Sequence, residues 1–276
     1  MGLFIASLNS GSNGNCYYVG NRQEAVLVDV GISCREVETR LLRLGLSISS
    51  IKAIFISHEH SDHIRGLSIL SQKHQLPVYI TPKTLLNGRI ALEAPLVFDF
   101  SASESISIGA LTITSFSKAH DAADPYSFVI DEGDTRVGVF TDIGRPCRQL
   151  KAMFNTCTAA FLEANYDEEL LRNGNYPNHL KARISGGRGH LSNLQALELF
   201  IKHRGKHLNH LILSHLSQNN NCPQLVYNLF NGHANNVLVT IAPRHCETSL
   251  FQVCTKIHPA LAKRAIRPSQ LSFAFG

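Results

Sequence analysis

Short apolar runs separated by polar turns dominate the first half of the chain. Residues 3–8, 16–19, 25–29, 53–56 and 77–80 each carry four or more consecutive or alternating apolar side chains. Runs of that length, closed by Gly, Asn, Asp or Ser, predict buried strands. Between the third and fourth runs, Val37, Leu41, Leu42 and Leu44 recur at helical spacing behind Ser33, a residue that can cap a helix. Helical spacing returns over 64–70, so strands and helices alternate as in a layered α/β arrangement. Residues 97–114 alternate as antiparallel strands with Gly109 at the turn, and 126–130 and 136–142 read as a strand pair around 131–134. Further strands are predicted at 158–165, 210–217 and 237–242, with a helix at 194–200 capped by Ser192. The stretch after 165 reads as helix-poor. Neither an internal repeat nor a linker interrupts the pattern, which predicts one domain over 1–276. The tail after about residue 247 carries no readable motif and is assigned no element.

Composition narrows the class. A hydrophobic fraction of 44% in 276 residues suits a globular protein with a sizeable core. No apolar run is long enough to span a bilayer, and the first residues lack the basic leader of a signal peptide. Seven cysteines, scattered and without a C-x-x-C pair, fit a reduced cytoplasm. The formal charge of +5 leans toward a polyanionic partner such as nucleic acid.

The candidate chemistry sits where strands end. Ser57-His58-Glu59-His60-Ser61-Asp62-His63 follows a buried run and precedes a helix. In extended chain, side chains two apart share a face, so His58 and His60 can grip one ion while Glu59 points away. Asp62 and His63 fall where the helix begins and can face a second ion. Elsewhere His120, Asp142 and His215 each close a strand-like run, as does Asp29. Alone, a histidine such as His120 is more often structural, and Asp29 reads equally as a turn aspartate. The turn Ser10-Gly11-Ser12-Asn13-Gly14-Asn15 reads equally as a hairpin loop and as a phosphate-facing loop, with Ser10, Ser12, Asn13 and Asn15 as candidate substrate contacts. Lys181, Arg183 and Arg188 make a basic neighbourhood that could track phosphates. His203 and His207 read as solvent-facing and His210 as structural.

The pattern H-x-H-x-D-H at 58–63 resembles the metallo-β-lactamase superfamily. His120-Asp121-Ala122-Ala123-Asp124-Pro125, Thr141-Asp142-Ile143-Gly144, Gly189-His190-Leu191-Ser192-Asn193 and Leu213-Ser214-His215-Leu216-Ser217 are similar to its YycJ/WalJ subgroup. The resemblance implies an α+β fold, an αββα sandwich with the site at one edge between the sheets. It implies two divalent ions, Zn, Mn or Fe, with His58, His60, His120 and Asp142 on one and Asp62, His63, Asp142 and His215 on the other. Asp29 would support the loop from behind. Asp62, Glu163 and His190 are the expected catalytic residues, Glu163 orienting His190 and favouring its imidazolium form for proton donation. The activity implied is 5′-to-3′ DNA hydrolysis. The same centre could instead serve a lactone or thioester hydrolase, or survive in a non-catalytic DNA-binding module. Tyr166 stands where the subgroup pattern has a histidine. The spacing from Asp142 to His215 leaves no room for the large inserted domain of the superfamily's RNA-processing nucleases.

Overall fold

The structure, a computed structural model, describes residues 2–255. Among the described residues fourteen strands are formed: β1 Leu3–Asn9, β2 Cys16–Gly20, β3 Ala25–Val28, β4 Ile51–Phe55, β5 Val78–Tyr79, β6 Val97–Phe98, β7 Ser105–Ile108, β8 Leu111–Ser117, β9 Tyr126–Glu132, β10 Thr135–Phe140, β11 Ala159–Glu163, β12 His210–Ser214, β13 Leu238–Ile241 and β14 Phe251–Val253. Among them lie α1 Cys34–Arg43, α2 Ser61–Ile64, α3 Leu67–His74, α4 Pro82–Asn87, α5 Arg148–Thr156, α6 Glu168–Asn173, α7 Asn178–Ser185, α8 Asn193–His203 and α9 Pro223–Asn231. The strands build two seven-stranded sheets, ordered β14-β1-β2-β3-β4-β5-β6 and β13-β12-β11-β10-β9-β8-β7.

Strand alternation sorts the apolar side chains into three layers. Ile5, Val26 and Val28 face Val137, Val139, Phe161 and Ile212 between the sheets. Their neighbours in sequence, Ala6, Leu8, Ala25 and Leu27, turn outward onto Val37 and Leu41 of α1 and Leu67 and Leu70 of α3. On the far side Ala160, Leu162, Leu211 and Leu213 pack on Leu150 and Phe154 of α5, Phe200 of α8 and Phe230 of α9. This is the αββα sandwich that the resemblance implied.

Three elements differ from the sequence expectations. The predicted 64–70 helix begins earlier and breaks into α2 and α3 at Gly66, whose N–H donates to Val30 O at 2.9 Å. A Cβ there would lie 2.0 Å from Ile32 O, so the backbone approach needs glycine. The stretch read as helix-poor holds α6 and α7. Asp167 caps α6 by accepting from the Glu169 and Leu170 N–H groups. Six residues are too few to show a period, and α7 buries no side chain, so no apolar stripe marks it. The tail given no element contains β14, which pairs antiparallel with β1 at Leu3↔Val253. Three residues of pairing leave no sequence signal. Residues 256–276, part of the expected single domain, lie outside the described residues. Among the described residues no helix is long and apolar enough to cross a membrane.

Parallel pairing positions the site. β3 and β4 run parallel in one sheet, and β10, β11 and β12 in the other. Their carboxyl ends open at the same edge of the sandwich, the usual place for ligand-binding loops in such sheets.

Candidate metal centre

The site residues come from the loops at that edge and from the ends of the elements that adjoin them. The loop after β4 delivers His58, His60, Asp62 and His63, with α2 starting at Ser61. His120 follows β8, Asp142 follows β10, Glu163 ends β11 and His215 follows β12. Asp29, Asp142 and His215 all hold left-handed backbone, with φ of 62°, 56° and 58°. Such conformations are uncommon outside glycine and concentrate at functional sites, where surrounding structure enforces them. Here each turns a polar side chain inward just as its strand stops.

The facing atoms are spaced for cations. His58 Nε2 lies 3.1 Å from His60 Nδ1, which lies 3.4 Å from His120 Nε2. On the other flank Asp62 Oδ2 is 3.5 Å from both His63 Nε2 and His215 Nε2. Asp142 stands between the flanks. Its Oδ2 is 3.3 Å from His63 Nε2, and its Oδ1 is 3.6 Å from His215 Nε2 and 3.8 Å from His120 Nε2. Ligands at about 2.1 Å in a tetrahedron are about 3.4 Å apart, so the separations match a shared ion. Asp142 Oδ2 and His215 Nε2 are buried without a hydrogen-bond partner. Polar atoms left so are costly unless a ligand meets them.

Behind the facing atoms, a second set of contacts fixes the imidazoles of His58, His63, His120 and His215. Nδ1 of His58 meets Ser57 Oγ at 2.9 Å, that of His63 meets Asp29 Oδ2 at 2.7 Å and that of His120 meets Gly189 O at 3.0 Å. Nδ1 of His215 meets Glu163 Oε1 at 3.1 Å. Partners of this kind orient ligating histidines toward a metal. Asp29 also accepts from Ser57 N and Ser57 Oγ at 2.7 and 2.8 Å, so it anchors the loop twice. Glu59 faces away, accepting from Ala123 N at 2.7 Å. Gly31 lets the loop close down: a Cβ there would sit 1.7 Å from Asp62 O.

The electrostatics divide the two flanks. Burial lowers the pKa of His58 well below the usual range, and that of His120 to about 4, with positive neighbours adding to the effect. Burial opposes charge on His63 and His215 too, but the carboxylates win. Asp142, Asp29 and Asp62 raise His63 well above its ordinary value, and Asp142, Asp62 and Glu163 raise His215 to about 10. Burial pushes Asp62 and Glu163 up, yet the histidines bring both down to about 2. The structure thus gathers buried carboxylates that demand positive charge.

Glu163 is fully buried and holds four groups. Oε1 meets His190 Nδ1 at 2.7 Å as well as His215, and Oε2 accepts from Ile143 N and Leu191 N at 2.7 and 3.2 Å. His190 is part-exposed, stacked on His215 with ring centroids 5.2 Å apart, and its Nδ1 is 3.8 Å from Asp142 Oδ1. Tyr166 is buried beside this loop. Its carbonyl accepts from Asn193 N at 2.8 Å, and burial raises its phenol to about 12.

The N-terminal turn divides. Ser10 and Asn15 face inward: Ser10 Oγ accepts from His215 N at 2.7 Å, and Asn15 Nδ2 lies 3.2 Å from Asp62 Oδ2. Ser12 and Asn13 stay on the rim, held by Arg244, whose guanidinium donates to Ser12 Oγ, Asn13 Oδ1 and Leu216 O. Arg183 is exposed and paired with Asp121, and Arg188 is also exposed. Lys181 donates to Arg172 O. His207 is exposed and His203 part-exposed. His210 is buried on Thr240 and Phe251. Ser57, Lys118 and Arg244 had no assigned role in the sequence reading. Lys118, buried and donating to Thr141 O at 2.8 Å, clamps β8 to the strand end before Asp142. Its place two residues before His120 was the available signal.

Comparison with known proteins agrees with this geometry. Residues 24–215 match the family described as the beta-lactamase superfamily domain. The chain is 35% identical over 230 residues to Exodeoxyribonuclease YycJ of Bacillus anthracis, covering 82% of this chain and 86% of that one. It is 31% identical over 234 residues to Exodeoxyribonuclease WalJ of Streptococcus pneumoniae, with the same coverage. Among solved structures, the metallo-beta-lactamase fold protein YhfI of Bacillus subtilis superposes with a TM-score of 0.69 at 16% identity, over 91% of this chain and 100% of that one. Sequence, fold and the clustered imidazoles and carboxylates agree that this chain belongs to the β-lactamase superfamily, as a YycJ/WalJ-like protein of the metallo-β-lactamase fold.

Proposed function

We propose that the protein is a metal-dependent phosphodiesterase acting as a 5′-to-3′ DNA exonuclease in the cytoplasm. The observation that carries the reading is the Glu163–His190 pair, because it sets a positioned proton donor beside a cation-binding cluster. A carbonyl substrate with a good leaving group has little use for it. The sugar alkoxide that leaves a phosphodiester needs a proton. The exodeoxyribonuclease relatives support DNA as substrate, as does the chain's positive charge.

In this reading His58, His60 and His120 would hold one divalent ion and Asp62, His63 and His215 the other, with the Asp142 carboxylate standing between the two groups. The grouping follows which ligand atoms lie together. Imidazole and carboxylate suit Zn²⁺, Mn²⁺ or Fe²⁺. When bound, such ions lower the pKa of water and offset the charge of the phosphate. The chain's own groups do the rest. Glu163 keeps His190 Nδ1 engaged, leaving Nε2 free to donate to the departing oxygen. Asp29 and Ser57 hold the loop rigid, and Ser12 and Asn13 stand at the rim where a strand would pass.

The test uses metal-reconstituted protein on 5′-labelled single- and double-stranded DNA, beside a lactone and thioester panel. Metal-dependent release of nucleotides is expected. Its absence on both DNAs, or faster turnover of the panel, overturns the reading.

Two further outcomes are expected. Asp29→Asn suits the left-handed backbone there and keeps every ligand, but removes the carboxylate charge behind the ring of His63, so metal affinity should fall roughly 10–100-fold, as measured by competition with a chelator. Proton release should also accompany metal uptake. His63 and His215 carry protons at neutral pH before an ion binds, because their pKa values are raised. An ion on their flank displaces those protons, so its affinity rises with pH. His58 and His120, lowered, start neutral. Calorimetry in two buffers of different protonation enthalpy reads this out, and buffer-independent heats would contradict it.

A further inference from the structure

A second group of metal-capable side chains sits in the helical layer on the first sheet. Cys34 opens α1, Glu38 follows one turn later on the same face, and His74 closes α3. One ligand atom from each lies within 4.8 Å of the others, and among the described residues no other such group stands apart from the centre. All three meet at one carboxylate oxygen. Glu38 Oε1 accepts from Cys34 Sγ at 3.5 Å, and it lies 2.7 Å from both His74 Nε2 and Lys73 Nζ. A carboxylate oxygen offers about two lone-pair sites, so three neighbours crowd it. Lys73 and His74 bring the Glu38 carboxyl down to about 2, which makes it a fixed anion. An ordinary surface ion pair needs only Lys73. The buried thiol is what such a pair leaves unexplained. Burial and then Glu38 raise its pKa, so it keeps its proton, and a thiol is a weak hydrogen-bond donor.

We propose that Cys34, Glu38 and His74 form a separate site for one divalent cation of the zinc class, with water as the fourth ligand. Thiolate, imidazole and carboxylate are the donors that zinc takes. In a tetrahedron, sulfur at about 2.3 Å and oxygen at about 2.0 Å from the ion stand about 3.5 Å apart. Cys34 and Glu38 already have that separation. The contact of His74 with Glu38 would open by about 0.7 Å to reach the spacing of two ligands on one ion. Binding sends the Cys34 proton to solvent, and the Lys73 ammonium, on a half-exposed side chain, swings off Glu38. The charges then balance, one dication against a thiolate and a carboxylate, with His74 neutral. The ion would tie the first turn of α1 to the last turn of α3, two helices that share one apolar layer. The site shares no ligand with the centre and stands whatever reaction the centre performs.

The experiment loads the full chain with Co²⁺, which occupies zinc sites and reports their ligands. A thiolate on Co²⁺ gives a charge-transfer band in the near ultraviolet, and the imidazoles and carboxylates of the centre give none. The wild-type protein should show the band and hold one more ion per chain than Cys34→Ser, a variant of nearly the same shape that lacks the thiol. His74→Ala should also lose the band, whereas Asp142→Asn, altered only at the centre, should keep it. Lys73→Ala should bind the extra ion more tightly, by up to roughly fivefold, the scale of one surface ion pair removed as a competitor. That gain cannot come from a folding defect, so it guards against one in Cys34→Ser. No band at saturating Co²⁺, a band that survives Cys34→Ser, or equal ion counts in the wild type and that variant overturns the proposal. So does an extra ion seen only in millimolar metal, which would be an adventitious ion only.

Discussion

Asp142→Ala is expected to lower the content of both metal ions and to remove nearly all metal-dependent hydrolysis. The carboxylate is buried and stands within 3.3–3.8 Å of imidazoles from both flanks. His63 and His215 pull its pKa well down against burial, so it is a fixed anion. Removing it would leave facing histidines without the negative charge that draws cations in, and it would open the bridge. The rate loss should be at least the roughly 10²–10³-fold seen when one preorganised electrostatic group is deleted. The left-handed backbone at Asp142 suits alanine poorly, so Asp142→Asn is the cleaner variant. Asparagine tolerates that conformation and keeps the shape while losing the charge. His120→Ala and His215→Ala should each reduce mainly one ion, because each imidazole lies on one flank. Metal analysis after equilibrium dialysis distinguishes these outcomes. Equal loss of both ions in every variant would contradict the division into flanks.

Asp142 also shows what a sequence can and cannot carry. That it ends a strand was legible from the alternation of Arg136-Val137-Gly138-Val139-Phe140 before it. That it turns inward through a left-handed residue was not, because only the packed loops impose it. His58, His60, Asp62 and His63 were legible together because their spacing within one short loop fixes their relative directions. Glu163 and His190 were separately legible as polar groups at element ends, but not the second bond of Glu163 to His215, which joins residues 52 apart. Arg244 contacts Asn13 across 231 positions, and no local pattern announces such a contact. Short elements were hidden for a different reason. The six-residue α6 and the three-residue β14 are stabilised by a cap and by pairing, neither of which needs a hydrophobic period.

His190→Ala is expected to lose DNA hydrolysis while retaining most turnover of a nitrophenyl phosphodiester and both metal ions. The difference lies in the leaving group. A sugar alkoxide is a strong base and departs slowly without a proton, whereas nitrophenolate departs as it is. If His190 supplies that proton, its removal should cost roughly the 10²–10⁴-fold typical of general acid catalysis, and only on DNA. The geometry separates this from a structural role. His190 touches Glu163 and stacks on His215, but its Nδ1 stands 3.8 Å from Asp142, outside the closest contacts of the cluster. Glu163→Gln should behave differently. Glu163 Oε1 is shared by His190 and His215, so its neutralisation would loosen both rings at once. That variant should therefore lose activity on both substrates and lose part of its metal. The pair of variants makes a sharper test than either alone. Parallel losses on both substrates in His190→Ala would mean that the imidazole holds structure or metal. Loss confined to DNA in Glu163→Gln, with metal content unchanged, would mean that its bond to His215 is dispensable and that its role runs through His190 alone.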